Sequence, residues 1–146
     1  MKHFALTAVL ALLMLSGNVA TMLAGSKQDM RYEYTMRHLR LDKATAAKFG
    51  PVLRQYIEER NAADDKYEAL KDKHKAAIKA GTITDAQGIA LMEAKLEAET
   101  AELAAKKKYY PEFKKVLKGS KIFRAFDLAN DKMSKIEEEL GVVKQK

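Results

Sequence analysis

The fold class is decided by residues 83–109, which read ITDAQGIALMEAKLEAETAELAAKKKY. Thr84 and Gln87 form a capping box: the Thr84 side chain accepts from the third amide of a helix, and Gln87 reaches back to the Thr84 amide. This helix is predicted to begin at Thr84 and to run to about Tyr109, before Pro111. Its apolar residues recur at helical spacing and predict one inward-facing stripe: Ile89, Met92, Leu96 and Leu103.

Two helices are predicted before this stretch. The first begins after the N-cap Ser26 and runs to about Leu39. The second begins after the N-cap Asp42 and runs to about Ala80, where Gly81 ends it. A proline inside a helix removes one hydrogen bond, so a kink or short break is expected at Gly50-Pro51. The predicted apolar faces are Met30, Tyr34, Arg37 and Leu41 in the first helix, and Leu53, Ile57, Ala63, Tyr67, Leu70, His74, Ala77 and Ile78 in the second.

The chain after Pro111 predicts a further helical turn or two from Glu112 to Leu117. Lys118-Gly119-Ser120 indicates a stop followed by a new N-cap, and Gly141 ends the last helix. That helix presents a regular seam of Ile122, Phe126, Ala129, Met133, Ile136 and Leu140. The narrow long helices leave little surface to cover this seam, so we expect a homodimer closed through Phe126, Met133, Ile136 and Leu140.

Composition agrees with an all-α fold in one domain. The 146 residues contain two prolines, no cysteine and no tryptophan, and they carry a formal net charge of +7. Alanine, lysine, glutamate and leucine are abundant and favour helices, whereas runs of strand-forming residues are absent. Without cysteine there is no disulfide framework and no thiolate chemistry.

The N-terminal segment has the layout of a secretory signal peptide. Lys2 and His3 precede an apolar run at residues 4–15, which is shorter than the roughly 20 residues that span a bilayer as a helix. We predict a signal peptide at residues 1–24, with cleavage between Ala20 and Gly25, and a single helical domain at residues 25–146. The alternative is an uncleaved N-terminal anchor. Export predicts a periplasmic protein, for which protein, lipid headgroups or envelope polymers are better partners than nucleic acid.

No pattern in the sequence predicts an enzyme, a cofactor or a metal site. His38 and His74 are the histidines of the mature chain, and neither has a second histidine or a cysteine at ligand spacing. Adjacent carboxylates such as Glu58-Glu59 do not share a helix face, and nothing nearby would desolvate one of them as acid–base catalysis requires. Phosphate loops and nucleophile elbows are also absent.

The segment from Lys106 to Arg124 combines a high positive charge with aromatic residues, directly after an acidic stretch from Glu93 to Glu102. One interpretation is a solvated lysine face over aromatic core residues. The other is a basic surface with accessible apolar groups, which attracts acidic chains at long range and holds apolar side chains at short range. In the second interpretation the client-binding residues are Lys106, Lys107, Lys108, Tyr109, Tyr110, Phe113, Lys114, Lys115, Lys118, Lys121, Phe123 and Arg124.

Two helix starts resemble the LTxxQ motif of the Spy/CpxP family of periplasmic helical proteins. The motif residues are Leu41, Asp42 and Thr45 in the first copy and Ile83, Thr84 and Gln87 in the second. Residues 48–56, KFGPVLRQY, resemble the KFWPxYxxY helix start of Bacteroidetes-type members, with Gly50 in place of the bulky aromatic. Residues 109–117, YYPEFKKVL, resemble their YYxxFKKVL segment.

This resemblance implies a long antiparallel helical hairpin with shorter flanking helices, and a thin, curved dimer. It also implies one of two functions. The first is an ATP-independent holdase of the envelope stress response, which binds unfolded or partly folded envelope proteins. The second is a regulatory protein that docks on an envelope stress sensor kinase. Metal-responsive sensing, a third role in the family, is disfavoured by the scarcity of histidine.

Overall fold

The computed structural model describes residues 26–142, apart from the side chain of Ala63. The predicted signal peptide lies outside this range. The described residues form six helices and no strand, which confirms the all-α prediction. The helices are α1 (Lys27–Leu39), α2 (Lys43–Lys73), α3 (Lys75–Ala80), α4 (Asp85–Val116), α5 (Gly119–Ala129) and α6 (Met133–Glu139).

The caps of the first three predicted helices, which are α1, α2 and α4 of the structure, are confirmed. The Ser26 hydroxyl and the Asp42 carboxylate accept from the third amides of α1 and α2. At the start of α4 both bonds of the capping box are present, with Gln87 N–H donating to Thr84 Oγ1 over 3.3 Å and Thr84 N–H donating to Gln87 Oε1 over 3.0 Å. Gly81 ends α3 at a φ of +67°, the left-handed conformation that favours glycine.

The long helices α2 and α4 lie side by side and run in opposite directions. Three cross-helix ion pairs show this, because positions that rise along α2 meet positions that fall along α4. Glu59 pairs with Lys108, Arg60 with Glu102, and Lys66 with Glu97.

The core lies at one end of this helix pair, where α1, α5 and α6 pack against it. Its centre is aromatic. The Phe113 ring meets the Phe49 ring edge-on at 4.8 Å and stacks on Phe126 at 4.5 Å, and Tyr56 meets Phe126 edge-on at 5.3 Å. Such ring pairs add to the stabilisation that burial alone provides.

The other end of the pair has almost no core. Within residues 64–97, which we call the two-helix arm, no side chain is fully buried. Two helices alone can cover only one narrow face of each other. The arm therefore leaves much of its apolar surface in contact with water.

Helix boundaries differ from prediction at several places. α2 continues through Pro51 and α4 continues through Pro111, so neither proline breaks its helix. A proline has no N–H to donate, so the carbonyl four residues earlier lacks its helical partner. The carbonyls concerned belong to Ala47 and Lys107. Both residues and both prolines are exposed, so water can bond to these carbonyls. The predicted helix to Ala80 instead breaks at His74, between α2 and α3.

The predicted last helix is also divided, into α5 and α6. Asn130 Nδ2 donates to the Phe126 carbonyl over 2.7 Å, and Arg31 donates to the carbonyls of Ala129 and Asp131 over 2.6 and 2.7 Å. The Ala129 and Asp131 carbonyls thus bond to a side chain of α1 at the point where α5 ends, while the Phe126 carbonyl also keeps its helical bond from the Asn130 amide. The predicted N-cap Ser120 is wrong, since α5 begins at Gly119 with Lys118 as its cap residue.

The stripe predicted to face inward from α4 is wrong. Ile89, Met92, Leu96 and Leu103 are all exposed, by 60, 53, 49 and 52%. The buried residues of α4 are Ala98, Ala105, Tyr109 and Phe113. Small alanines allow two long helices to approach closely, so the alanine face meets α2 and the larger aliphatic side chains are left outside.

The predicted apolar face of α1 is partly wrong as well. Arg37 is exposed, whereas Arg31, Tyr34, Thr35 and Leu39 are buried. The buried arginine is possible because its guanidinium donates to two backbone carbonyls at the end of α5.

The C-terminal seam faces the core of its own chain. Ile136 is fully buried there, and Phe126, Met133 and Leu140 pack partly buried against the same cluster. The expectation that this seam is open for a second copy is therefore wrong.

Gly50 lies where α1 crosses α2. A Cβ atom at this position would stand 2.6 Å from the Tyr32 hydroxyl, closer than such contacts ever come. The Tyr32 ring in turn lies 4.2 Å under the Arg54 guanidinium. The space beside Gly50 is thus filled by a side chain from α1.

Candidate functional site

The most exposed large apolar side chain of the described residues is Phe123, on the outer face of α5, at 74% exposure. It lines two surface hollows at once, one between α4 and α5 and one between α1 and α5. An aromatic ring in this position offers apolar contact area without any further change in the fold. Phe123 is therefore the centre of the candidate site.

The hollow between α4 and α5, which we call the α4–α5 hollow, has a volume of about 550 Å³. Its floor and walls are mainly apolar, from Tyr110, Phe123 and Phe126, and its rim carries charges of both signs. The lining residues are Lys106, Lys107, Tyr110, Phe123, Phe126, Asp127, Asn130 and Asp131.

The hollow between α1 and α5, which we call the α1–α5 hollow, has a volume of about 600 Å³ and is more polar. Its lining residues are His38, Arg40, Ser120, Lys121, Phe123, Arg124 and Asp127. His38 and Arg40 were not predicted as site residues. They lie about 80 positions before α5 in the sequence, and only the packing of α1 on α5 brings them here.

Six of the twelve predicted client-binding residues lie in these hollows: Lys106, Lys107, Tyr110, Lys121, Phe123 and Arg124. Tyr109 and Phe113 do not belong to an accessible surface. Phe113 is fully buried, and Tyr109 is 7% exposed, with its hydroxyl donating to Glu59 over 3.1 Å. For these two aromatics, the interpretation as core residues is the one that the structure supports.

Several of the predicted lysines already have partners. Lys106 pairs with Glu102, Lys108 with Glu59, and Lys115 with Glu112, at 2.6 to 2.7 Å. The hydrogen bond from Lys108 lowers the pKa of the Glu59 carboxyl, which keeps this pair ionised. Lys121 donates to the Leu39 carbonyl at the end of α1.

Apart from Lys121, whose bond goes to a neutral carbonyl, four cations of the segment form no ion pair with any residue of 26–142: Lys107, Lys114, Lys118 and Arg124. Lys114 lies 5.1 Å over the Tyr110 ring, an exposed cation–π contact. The free positive charge next to Phe123 is therefore smaller than the sequence predicts, and it is concentrated at Lys107 and Arg124.

The residues of the two LTxxQ-like motifs lie at helix starts and outside both hollows. Asp42 accepts from the Thr45 amide and hydroxyl over 2.9 and 2.6 Å, and these bonds lower the pKa of its carboxyl. Leu41 and Ile83 are half-buried beside their caps. The motifs act here as helix starts.

The described residues contain no group of three His, Asp or Glu side chains that could hold a metal ion. Within residues 26–142 no helix is long and apolar enough to cross a bilayer. The arrangement around Phe123 offers apolar area, hydrogen-bond groups and unpaired cations, which are the elements of a binding surface.

Comparison with known proteins gives no match among family models, characterised proteins or solved structures. The fold and the site together define an all-α protein whose exposed phenylalanine lies between two hollows with charged rims.

Proposed function

We propose that this protein is an ATP-independent holdase of the bacterial envelope that binds unfolded or partly folded proteins. The observation that supports it is Phe123, which is exposed beside an apolar hollow and flanked by the unpaired cations Lys107 and Arg124. Periplasmic location follows from the predicted signal peptide. The resemblance of the two helix starts to the LTxxQ motif supports the same class.

The chemistry of the surface suits weak and reversible capture. Cations attract acidic segments of an unfolded chain at long range and raise the rate of encounter. A shallow hollow then buries only a few apolar side chains of the client, so release needs no energy source. Client binding of this kind weakens as salt screens the charges.

The test is suppression of client aggregation by the purified protein at low salt and at about 0.5 M salt, where the screening length falls to a few ångström. Phe123→Ser is expected to reduce protection several-fold at low salt while leaving the circular dichroism spectrum unchanged. Ile78→Ser is the matched control, because Ile78 is an exposed aliphatic residue on α3, outside the residues that line both hollows. Equal protection by the wild type and Phe123→Ser contradicts the proposed site, and no protection by the wild type contradicts the function.

A second candidate is a regulatory protein that docks on an envelope stress sensor kinase. The observation that favours it is the mixed charge of the α4–α5 hollow, where Asp127 and Asp131 lie opposite Lys106 and Lys107. A pattern of both signs selects one complementary partner better than it selects many clients. Crosslinking from Phe123 in envelope extracts separates the two, because a regulator gives one dominant product and a holdase gives many.

A further inference from the structure

A polar hollow lies between α1, α2 and the connection from α5 to α6, and we call it the α1–α2 hollow. Its volume is about 330 Å³, at the lower end of the sizes of small-molecule sites. Arg31 and Arg60 line it, and both residues are more than nine-tenths buried, at 4 and 7% exposure. Burying a charge costs free energy unless partners surround it, so the partners of these two arginines decide what the hollow can do.

Arg31 leaves one edge of its guanidinium unused. Its Nη1 donates to the carbonyls of Ala129 and Asp131. Its Nε–H is buried without an acceptor among the described residues, and none of them accepts from Nη2 or forms an ion pair with Arg31. The Nε and Nη2 hydrogens of a guanidinium lie side by side, which matches the two oxygens of a carboxylate or a phosphate. The free edge of Arg31 can therefore bind one oxyanion.

Arg60 has more partners than Arg31. Its Nε donates to Asn130 Oδ1 over 2.6 Å, and its Nη1 donates to Asn61 Oδ1 over 2.8 Å. The nearest carboxylate oxygens, of Asp64 and Glu102, lie 3.4 Å from its Nη1 and Nη2. Burial first and the charge of Arg60 second lower the pKa of Arg31 to about 10. An oxyanion at the free edge of Arg31 would offset both effects.

The other charges around the hollow restrict which oxyanion fits. Cations line it from α1 and from the residue before α6, and carboxylates line it from α2. The cations are Lys27, Arg31 and Lys132, and the carboxylates are Asp64, Asp65 and Glu68. A doubly charged phosphate at Arg31 would be repelled by these carboxylates, whereas a ligand with an ammonium group beside its own carboxylate would be attracted by them.

We propose that the α1–α2 hollow binds a small zwitterion, a free amino acid or a dipeptide. Its carboxylate bonds to the free edge of Arg31, and its ammonium group faces Asp65 on α2. Asp65 is available for this contact, because it forms no ion pair among the residues that the structure describes. Lys27 and Lys132 are unpaired within the same residues and add positive charge on the carboxylate side.

This inference goes beyond the proposed holdase function and can fail separately from it. Asn130 and Asp131 line both this hollow and the α4–α5 hollow. The groups that bind the zwitterion, on Arg31 and Asp65, line only the α1–α2 hollow, and Phe123 takes no part in it. A chain that binds dipeptide without protecting clients would contradict the holdase function alone.

The first test is NMR titration of the ¹⁵N-labelled full chain with L-alanyl-L-alanine up to about 10 mM, which detects a millimolar dissociation constant. The Arg31 Nε–H signal and the amide signals of residues 61–68 and 130–133 are expected to shift. The N-acetyl and C-terminal amide forms of the dipeptide each lack one charge and are expected to bind at least about tenfold more weakly. L-alanine in the same titration distinguishes a free amino acid from a dipeptide.

Three results of this titration would overturn the proposal. The first is an Arg31 Nε–H signal that does not move with either zwitterion. The second is equal binding of the N-acetyl dipeptide, since the carboxylates of α2 would then play no part. The third is tighter binding of inorganic phosphate than of either zwitterion, which would make the hollow a simple anion site.

The second test uses variants of the two ends of the site. Arg31→Lys keeps the charge but cannot bond through two parallel N–H groups, so the dipeptide is expected to bind at least about tenfold more weakly. Asp65→Asn is expected to weaken the dipeptide several-fold and to leave the N-acetyl form unchanged. Asp72→Asn, exposed on α2 and outside the lining of the hollow, is the matched control.

Circular dichroism shows whether each variant folds. Asp65 is exposed, so Asp65→Asn is expected to fold as the wild type and decides the question even if Arg31→Lys does not fold. Binding of the dipeptide by Asp65→Asn or by a folded Arg31→Lys as tightly as by the wild type would overturn the proposal.

Discussion

At the scale of single residues, the helix starts and one close approach of two helices determine local geometry. Asp42 and Thr84 each satisfy amide groups that the first turn of a helix leaves without partners. Gly50 leaves the space that Tyr32 fills, and a larger residue there would push the end of the Tyr32 side chain aside. Each of these residues affects only its near neighbours: the caps bond to amides in the first turn of their helices, and Gly50 makes room for the Tyr32 side chain.

Asp42→Asn is expected to change how stability depends on pH. Hydrogen bonds from Thr45 lower the pKa of the Asp42 carboxyl below its ordinary value of 3.8. A lowered pKa means that Asp42 contributes stability above the unfolded pKa, and that this contribution is lost as the pH falls through the folded pKa. Asparagine is an equally good N-cap that does not titrate.

Denaturant unfolding at pH 7 and at several values below about pH 4 measures this effect. The stability advantage of the wild type over Asp42→Asn should shrink as the pH falls through that range. The control is Asp72→Asn, an exposed carboxylate at the other end of α2. An advantage that stays constant with pH would show that the cap does not depend on the charge.

At the scale of elements, a buried arginine connects the first helix to the end of the fifth. Arg31 is 4% exposed, and its guanidinium donates to the carbonyls of Ala129 and Asp131. Burial and then the neighbouring charge of Arg60 lower the pKa of Arg31 to about 10, which leaves it protonated at neutral pH. The same contact explains why α5 and α6 are two helices.

Arg31→Met is expected to lower the free energy of unfolding by about 2–3 kcal/mol, because one buried and one partly buried carbonyl lose their donor and methionine cannot replace it. Arg37→Met is the matched control on the exposed side of α1. It removes only a surface pair with Glu33, which contributes less than about 1 kcal/mol. Urea unfolding of both variants measures the difference, and equal costs would contradict the role of Arg31.

At the scale of the whole molecule, the core and the exposed apolar surface are separated along the long helix pair. One end is closed by α1, α5 and α6, and the other end is the two-helix arm, where Ile89, Met92 and Leu96 are exposed. This separation leaves both the surface around Phe123 and the exposed apolar side chains of the arm in contact with water.

Ile136→Asp tests which surface closes the molecule. Because Ile136 is fully buried within its own chain, a carboxylate there is expected to cost roughly several kcal/mol of stability at every protein concentration. Ser134→Asp, on the exposed side of the same helix, should change stability little. Thermal unfolding at two protein concentrations is the measurement. If Ile136→Asp kept its stability but lost self-association, the result would show instead that α6 forms a contact with a second copy of the chain.

The local features of this protein were predictable from its sequence. The caps at Ser26, Asp42 and Thr84 and the stop at Gly81 depend on bonds between residues three or four positions apart, so the residue types themselves indicate them. The all-α class follows from the same local preferences.

Tertiary structure decided which faces are inside. Periodicity indicates that Leu96 and Leu103 share a face, but it cannot show whether that face or the alanine face of α4 meets α2. The choice depends on how closely the two long helices approach, which is a property of both together. The burial of Arg31 and the position of His38 and Arg40 beside Phe123 likewise depend on contacts between residues distant in the chain, about which the local sequence pattern carries no information.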